Sequence, residues 1–307
     1  MDTPDFKNPV RQLITKGDSQ FQEQAYDVPL LMRDEIRVRA IYCGVCRSDI
    51  DMMHGKFPLL PTEMHGHEGL GEVIAKGNNV HDCSIGDYVA TRGEPGYADV
   101  YNCKQGTYCV VPEAKPEYII EPVACAVNMV LNCQMDLYRH IDGKMLIIGG
   151  GFLAKVFYET LLAKDMDFEV DVWTYTDLDW WNQYNVDTTH YRRWDYDVVV
   201  DLKDTDQIKH ASVAPNGLII LAAQKSVPHM FDFADWLWNN VTIKFPSPRA
   251  DTFHEAMHWA VRAVQTGKIE VDNVWTKGYN RDTEWQQAFA DADNRPQGYG
   301  RGYIEWD

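Results

Sequence analysis

From about residue 35 to 112 apolar positions come in short β-rich runs broken by Gly, Pro and Asn: 36–42, 69–75, 87–91 and 108–111. Strands this short between frequent turns predict a barrel-like all-β module. From about 126 to 245 the texture alternates. A strand over 144–148 runs through glycines into a helix over 153–163, then strands over 168–173 and 196–201, a helical stretch near 208–213, and a strand over 218–222. Val- and Ile-rich strands alternating with helices predict a parallel sheet covered by helices. The tail adds a helix over 253–266, a strand near Asn273, a helix near 284–290 and a strand near 302–306, and is expected to return to the first module. Domains are therefore expected at 1–125, 126–246 and 247–307.

Charge and cysteine usage narrow the partners. Lys and Arg number 29 against 46 Asp and Glu, a net charge of −17, and no basic run exceeds Arg192 and Arg193. Such a surface argues against nucleic acid and anionic membranes. Residues 1–9 carry no apolar signal core, and no run approaches the roughly 18 apolar residues of a membrane span, so a cytoplasmic location is expected. Seven scattered cysteines do not form a disulfide framework in so long a chain, which leaves thiols for a metal.

Three segments carry chemistry. Cys43-Gly44-Val45-Cys46-Arg47-Ser48-Asp49 is followed by His65-Gly66-His67-Glu68. Thiolate, imidazole and carboxylate are the ligands zinc takes. Lys144 to Ile148 runs into Gly149-Gly150-Gly151-Phe152-Leu153-Ala154, a strand entering G-x-G-x-x-A and then a helix, where a pyrophosphate can approach the backbone. Between them lies Glu121-Pro122-Val123-Ala124-Cys125, where Glu121 either caps a helix or faces a site. Taken singly, the first segment reads by default as core thiols with a turn histidine, and the second has a tight βα turn that binds nothing as its alternative. Their combination favours a site.

In this order CGVCRSD, GHEGLGEVIAKGNNV, IGDYVA, EPVACAVNMV, IIGGGFLA and the tail HEAMHWAVRAVQTGKIEVDNV resemble the zinc-dependent medium-chain dehydrogenase/reductase family, which includes alcohol, sorbitol and threonine dehydrogenases. The resemblance implies an α/β fold, with a GroES-like β-barrel catalytic domain interrupted by a Rossmann doubly wound parallel sheet. It also implies interconversion of an alcohol, a polyol or amino alcohol among them, and a carbonyl by hydride transfer with NAD or NADP. A homodimer or homotetramer is implied as well.

Carried over by position, Cys46 and His67 match zinc ligands, Glu68 a carboxylate on or beside the metal, and Glu121 the remaining ligand, with Cys125 as its alternative. Asp49 matches a carboxylate that orients His67, and Ser48 the hydroxyl of a proton relay. The relay's usual histidine position is Asp51, with His54 the nearest substitute. Residues 91–108 hold only Cys103, with Cys109 just beyond, so one catalytic zinc and no structural zinc is expected. The strand reaching Trp173 ends without a clear acidic ribose ligand. Thr174 and Tyr175 stand at that end, with Thr176 beyond, and NAD and NADP both stay open.

Two other readings compete. His254-Glu255-Ala256-Met257-His258 is a formal H-E-x-x-H, the metallopeptidase pattern, but Phe253, Met257, Ala260, Val261 and Val264 make an apolar stripe that packs the same helix on a core. A catalytically altered or non-catalytic member of the fold is the other. The aromatic run 231–238 reads as a packed helix, and Trp180 and Trp181 as either cleft or packing residues.

Overall fold

The computed structural model describes residues 9–56, 65–92, 95–184, 186–188, 195–223, 233–271 and 273–306. Arg192, Arg193 and Phe231 lie outside them. Two compact units emerge: Met1–Pro122 with Met257–Gln265 and Glu270–Asp307, and Val123–Ala256 with Thr266–Ile269.

The first unit is built on a seven-stranded sheet. Its strands are β3 (Glu35–Gly44), β4 (Gly69–Lys76), β5 (Tyr88–Thr91), β6 (Val100–Lys104), β7 (Tyr108–Val111), β13 (Trp275–Asn280) and β14 (Arg301–Glu305). They run in the order β13-β14-β3-β4-β5-β7, with β6 paired to β3. A separate hairpin, β1 (Val10–Thr15) and β2 (Phe21–Tyr26), pairs antiparallel.

Alternation explains β3: Ile36, Val38 and Ala40 face a core with Val73, Val89 and Tyr101. A register shift between Ala40 and Tyr42 re-aims the strand, and Cys43 enters a second cluster with Val45, Ile50, Tyr97, Tyr279 and Phe289. The chain then turns into α1 (Arg47–Met53). The tail strands join this sheet, β14 pairing antiparallel with β3, and α7 (Trp285–Asn294) lies in the same unit.

The second unit holds a five-stranded parallel sheet of β8 (Lys144–Ile148), β9 (Glu169–Trp173), β10 (Asp195–Asp201), β11 (Ser212–Leu221) and β12 (Thr242–Lys244), in the order β12-β11-β10-β8-β9. Val198, Val199, Val200, Leu218, Ile219 and Ile220 are all fully buried, as expected where helices cover both faces. The chain steps from β8 to β9 on one side and returns to β10 on the other. The C-terminal end of β8 is thus the switch point where such sheets bind ligands. Trimming the sheet centre with Ile219→Val is expected to cost about 1 kcal/mol in urea unfolding.

Helices α2 (Glu121–Tyr138), α3 (Phe152–Ala163), α4 (Leu178–Trp181), α5 (Ala234–Trp238) and α6 (Thr252–Gln265) complete the chain. The expected helix near 208–213 is instead a 3₁₀ turn, Gln207–His210, that enters β11 at Ser212. Ala211, already extended, and Val213 in β11 both point inward, and Ile208 anchors the turn. Among the described residues of the aromatic run Trp236 is buried against the Phe233 ring, while Leu237 and Trp238 are exposed. No helix among the described residues is long and apolar enough to cross a membrane.

Candidate functional site

In the first unit the end of β3 and the start of α1 deliver one half of a metal-type cluster, and the segment before β4 delivers the other. Cys46 precedes α1, and its backbone N–H donates to Asp49 Oδ2 at 3.0 Å. His67 and Glu68 follow Gly66, whose φ of +78° is a left-handed conformation. A Cβ on Gly66 would stand 2.6 Å from Tyr97, and one on Gly44 would stand 2.1 Å from Glu68 Oε2. Gly44 is needed where the two segments touch, and Gly66 where the second passes close to Tyr97. Ligand atoms of Cys46, His67 and Glu68 all lie within 4.8 Å of one another.

This cluster fits a zinc ion by its donor set and by one orphaned atom. Glu68 is 1% exposed, and its Oε2 is buried without a hydrogen-bond partner while Arg301 Nη2 donates to Oε1. A buried carboxylate oxygen left open beside a thiol and an imidazole suits a cation. Glu121, at the start of α2, is buried and its charge reaches His67 and Arg301, yet it stands outside the three-residue cluster. Cys125 is a half-buried residue one turn further along α2.

The electrostatics around the cluster have separable causes. Burial disfavours the His67 imidazolium, but the Asp49 carboxylate, Cys46 and Glu121 outweigh it and hold the His67 pKa well above its ordinary value. Asp49, fully buried, is pushed up by burial, against which His67 and the Tyr97 hydroxyl hold its charge. Tyr97 donates to Asp49 Oδ2 at 2.8 Å, and Asp49 Oδ1 lies 3.7 Å from His67 Nδ1. Burial first, then Asp49 and Glu68, push the Cys43 thiol up, so the first cysteine of the C-x-x-C is a protonated core residue.

Ser48 Oγ lies 3.4 Å from His67 Nε2, beside the cluster. The two expected relay residues are engaged elsewhere. Asp51 faces Arg47 Nε at 3.4 Å, and His54 Nε2 meets Asp293 Oδ2 at 2.8 Å with Ser19 Oγ on its other nitrogen. Neither hydrogen-bonds to Ser48. The reason is helical phase: α1 turns Asp51 toward Arg47, and His54, past its last turn, faces α7.

In the second unit β8 ends at Ile148 and Gly149 takes φ +98°. A Cβ on Gly150 would meet Thr174 Oγ1 at 2.5 Å, whereas Gly151 has open space and precedes α3. Phe152, Leu153 and Ala154 form the first turn of α3, whose N-terminal amides suit a phosphate. Trp181 is fully buried, and its indole N–H donates to the Gly150 carbonyl at 2.9 Å, which settles it as a brace of this turn. Thr174 is 4% exposed and its hydroxyl closes a turn with Thr176, while Tyr175 stands exposed.

His254, Glu255 and His258 sit on α6 beside its buried face of Phe253, Ala256, Met257, Ala260 and Val261, and among the described residues no metal-type group includes them. Reading the sequence alone passed over Tyr97, Arg301 and the role of Trp181. Arg301 is 233 positions from Glu68, and no local pattern links them.

Comparison with known proteins adds a family context. Residues 32–120 match the alcohol dehydrogenase GroES-like domain. D-arabinitol dehydrogenase 1 of Uromyces fabae is 26% identical over 323 residues, covering 85% of this chain and 88% of that one. Among solved structures, benzyl alcohol dehydrogenase of Acinetobacter calcoaceticus superposes with a TM-score of 0.79 at 16% identity, over 98% of this chain and 100% of that one. A short chain alcohol dehydrogenase of Escherichia coli complexed with NADH also gives 0.79 at 16%, over 97% and 100%.

Proposed function

We propose that this chain, which belongs to the zinc-type medium-chain dehydrogenase/reductase family, interconverts an alcohol and a carbonyl compound by hydride exchange with a nicotinamide dinucleotide. The observation that carries the reading is the convergence of Cys46, His67 and Glu68 within 4.8 Å, in the unit that holds the alcohol dehydrogenase-type domain. The glycine turn between β8 and α3 supports the nucleotide half.

Cys46, His67 and a carboxylate of Glu68 or Glu121 would hold the metal, which when bound supplies Lewis acidity toward the substrate oxygen. The chain's own residues do the rest. The Asp49 charge, 3.7 Å from His67 Nδ1, favours a proton on that nitrogen and leaves Nε2 for ligation, and Tyr97 holds Asp49 in turn. Ser48 places a hydroxyl beside the cluster, where it can take a proton from the substrate or return one. Backbone amides of the glycine turn and the α3 N-terminus receive the dinucleotide's pyrophosphate.

A polyol is the substrate class that the D-arabinitol dehydrogenase similarity and the carboxylate ligands support. A homodimer or homotetramer in a reducing, cytoplasmic setting goes with this reading, consistent with seven free cysteines.

The test is a metal analysis followed by titration with NADH and NADPH, read by tryptophan fluorescence. One zinc per chain and saturable binding of a nicotinamide nucleotide are expected. Binding of neither nucleotide would sink the reading even with zinc present. Asp49→Asn keeps the shape but weakens the orienting charge, and is expected to lower zinc affinity about 10–100-fold in chelator competition. An unchanged affinity would remove Asp49 from the site.

A further inference from the structure

We propose that the nucleotide site of the second unit selects NADPH over NADH, with Lys203 receiving the 2′-phosphate. This rests on the nicotinamide reading above and specifies which nicotinamide nucleotide it concerns. The two nucleotides differ only at the adenosine ribose: a free 2′-hydroxyl suits a carboxylate acceptor at the end of the second strand, and a phosphate dianion suits a cation in its place.

In this sheet the second strand is β9, which pairs in register with β8, Trp173 beside Ile148. The Gly149 N–H donates to the Trp173 carbonyl at 3.1 Å, so the residues after Trp173 stand against the glycine turn. Two of the acids in and after β9, Asp171 and Asp177, are already engaged. Thr174 is buried against Gly150, and its hydroxyl accepts the Thr176 N–H at 3.1 Å. Asp171 lies inside β9 and accepts the Tyr196 hydroxyl at 2.7 Å. Asp177, with φ +59°, receives Lys155 Nζ at 2.6 Å, and this pair neutralises the acid nearest the turn. Asp179, in the first turn of α4, is exposed on the surface.

The third strand in space, β10, brings the cation. Lys203 follows its end, and its Cβ lies 3.4 Å from where a side chain on Gly149 would begin. Its backbone N–H is anchored on the buried Asp201 carboxylate at 3.2 Å, which fixes where the side chain starts. Lys203 Nζ stands 5.7 Å from the ring centre of Tyr175, itself 59% exposed. An ammonium and an exposed aromatic ring thus sit together at the C-terminal ends of β8, β9 and β10. This suits a phosphorylated ribose with its adenine stacked beside it.

Titration of the zinc-loaded chain with NADPH, NADH and the fragments 2′,5′-ADP and 5′-AMP separates the possibilities. NADPH is expected to bind at least about 10-fold more tightly than NADH, and 2′,5′-ADP more tightly than 5′-AMP, because a charge-assisted contact is gained. Lys203→Ala should lose about 10-fold for NADPH and change NADH less than about twofold, and Lys203→Arg should keep the preference. Equal or tighter binding of NADH, or an equal loss of both in Lys203→Ala, overturns the assignment while leaving the dehydrogenase reading intact. No response to any of the four ligands overturns that reading as well.

Discussion

Cys46→Ala is expected to leave less than about a tenth of the wild-type zinc on the protein and to lower turnover by about a thousandfold or more. The argument starts from position. Cys46 is the sole thiol in the three-residue cluster, and its neighbour Cys43 is fully buried in the apolar core with its thiol pushed toward the protonated form. Cys43 is therefore no substitute thiolate. His67 and Glu68 would remain, and an imidazole with a carboxylate is a poor zinc site without a third ligand. The loss should be specific to the metal, because the backbone bonds between Cys46 and Asp49 that open α1 are ones alanine keeps. Atomic absorption on dialysed protein, beside a circular dichroism spectrum matching wild type, is the measurement. A folded Cys46→Ala protein that keeps its full zinc would refute the metal assignment.

What the sequence makes legible here is local. The strand into Gly149, the helix after Gly151 and the cysteine and histidine motifs are contiguous patterns, and each is a real element or turn in the structure. Strands whose polarity does not alternate are less legible. β2 reads Phe21-Gln-Glu-Gln-Ala-Tyr26 and buries only its ends, and β1 buries Gln12 among its apolar residues, so neither shows the period-2 signal. The segment at 208–213 fails for the opposite reason: a few apolar residues fit a helix and a turn-plus-strand equally well. Site chemistry set by distant contacts is invisible at this level. Tyr97 reaches Asp49 across 48 positions, and His54 meets Asp293 across 239. The phase of α1, which turns Asp51 away from Ser48, depends on where that helix begins, which the C-x-x-C spacing alone does not fix.

The pair between Glu68 and Arg301 shows how such a distant contact sets stability as well as chemistry. Glu68 is 1% exposed, and Arg301, also largely buried, stacks its guanidinium 5.2 Å from the centre of the Trp275 ring. Burial alone would lower the Arg301 pKa, but Glu68, then Cys46 and Glu121, more than offset it and keep the guanidinium charged. Arg301→Leu removes the cation and leaves the buried Glu68 carboxylate without its guanidinium partner. Breaking a buried ion pair from one side costs about 3–5 kcal/mol. That loss is expected in urea unfolding of chelator-treated protein, where bound metal cannot mask it by stabilising the folded state. Glu68→Gln in the same background should recover more than about 1 kcal/mol, since a neutral amide tolerates the site that a lone carboxylate does not. The double-mutant cycle separates the pair from mere loss of packing on Trp275. If Arg301→Leu costs less than about 1 kcal/mol, or if Glu68→Gln rescues nothing, the two side chains do not depend on each other and the ion pair does not hold Glu68 in the cluster.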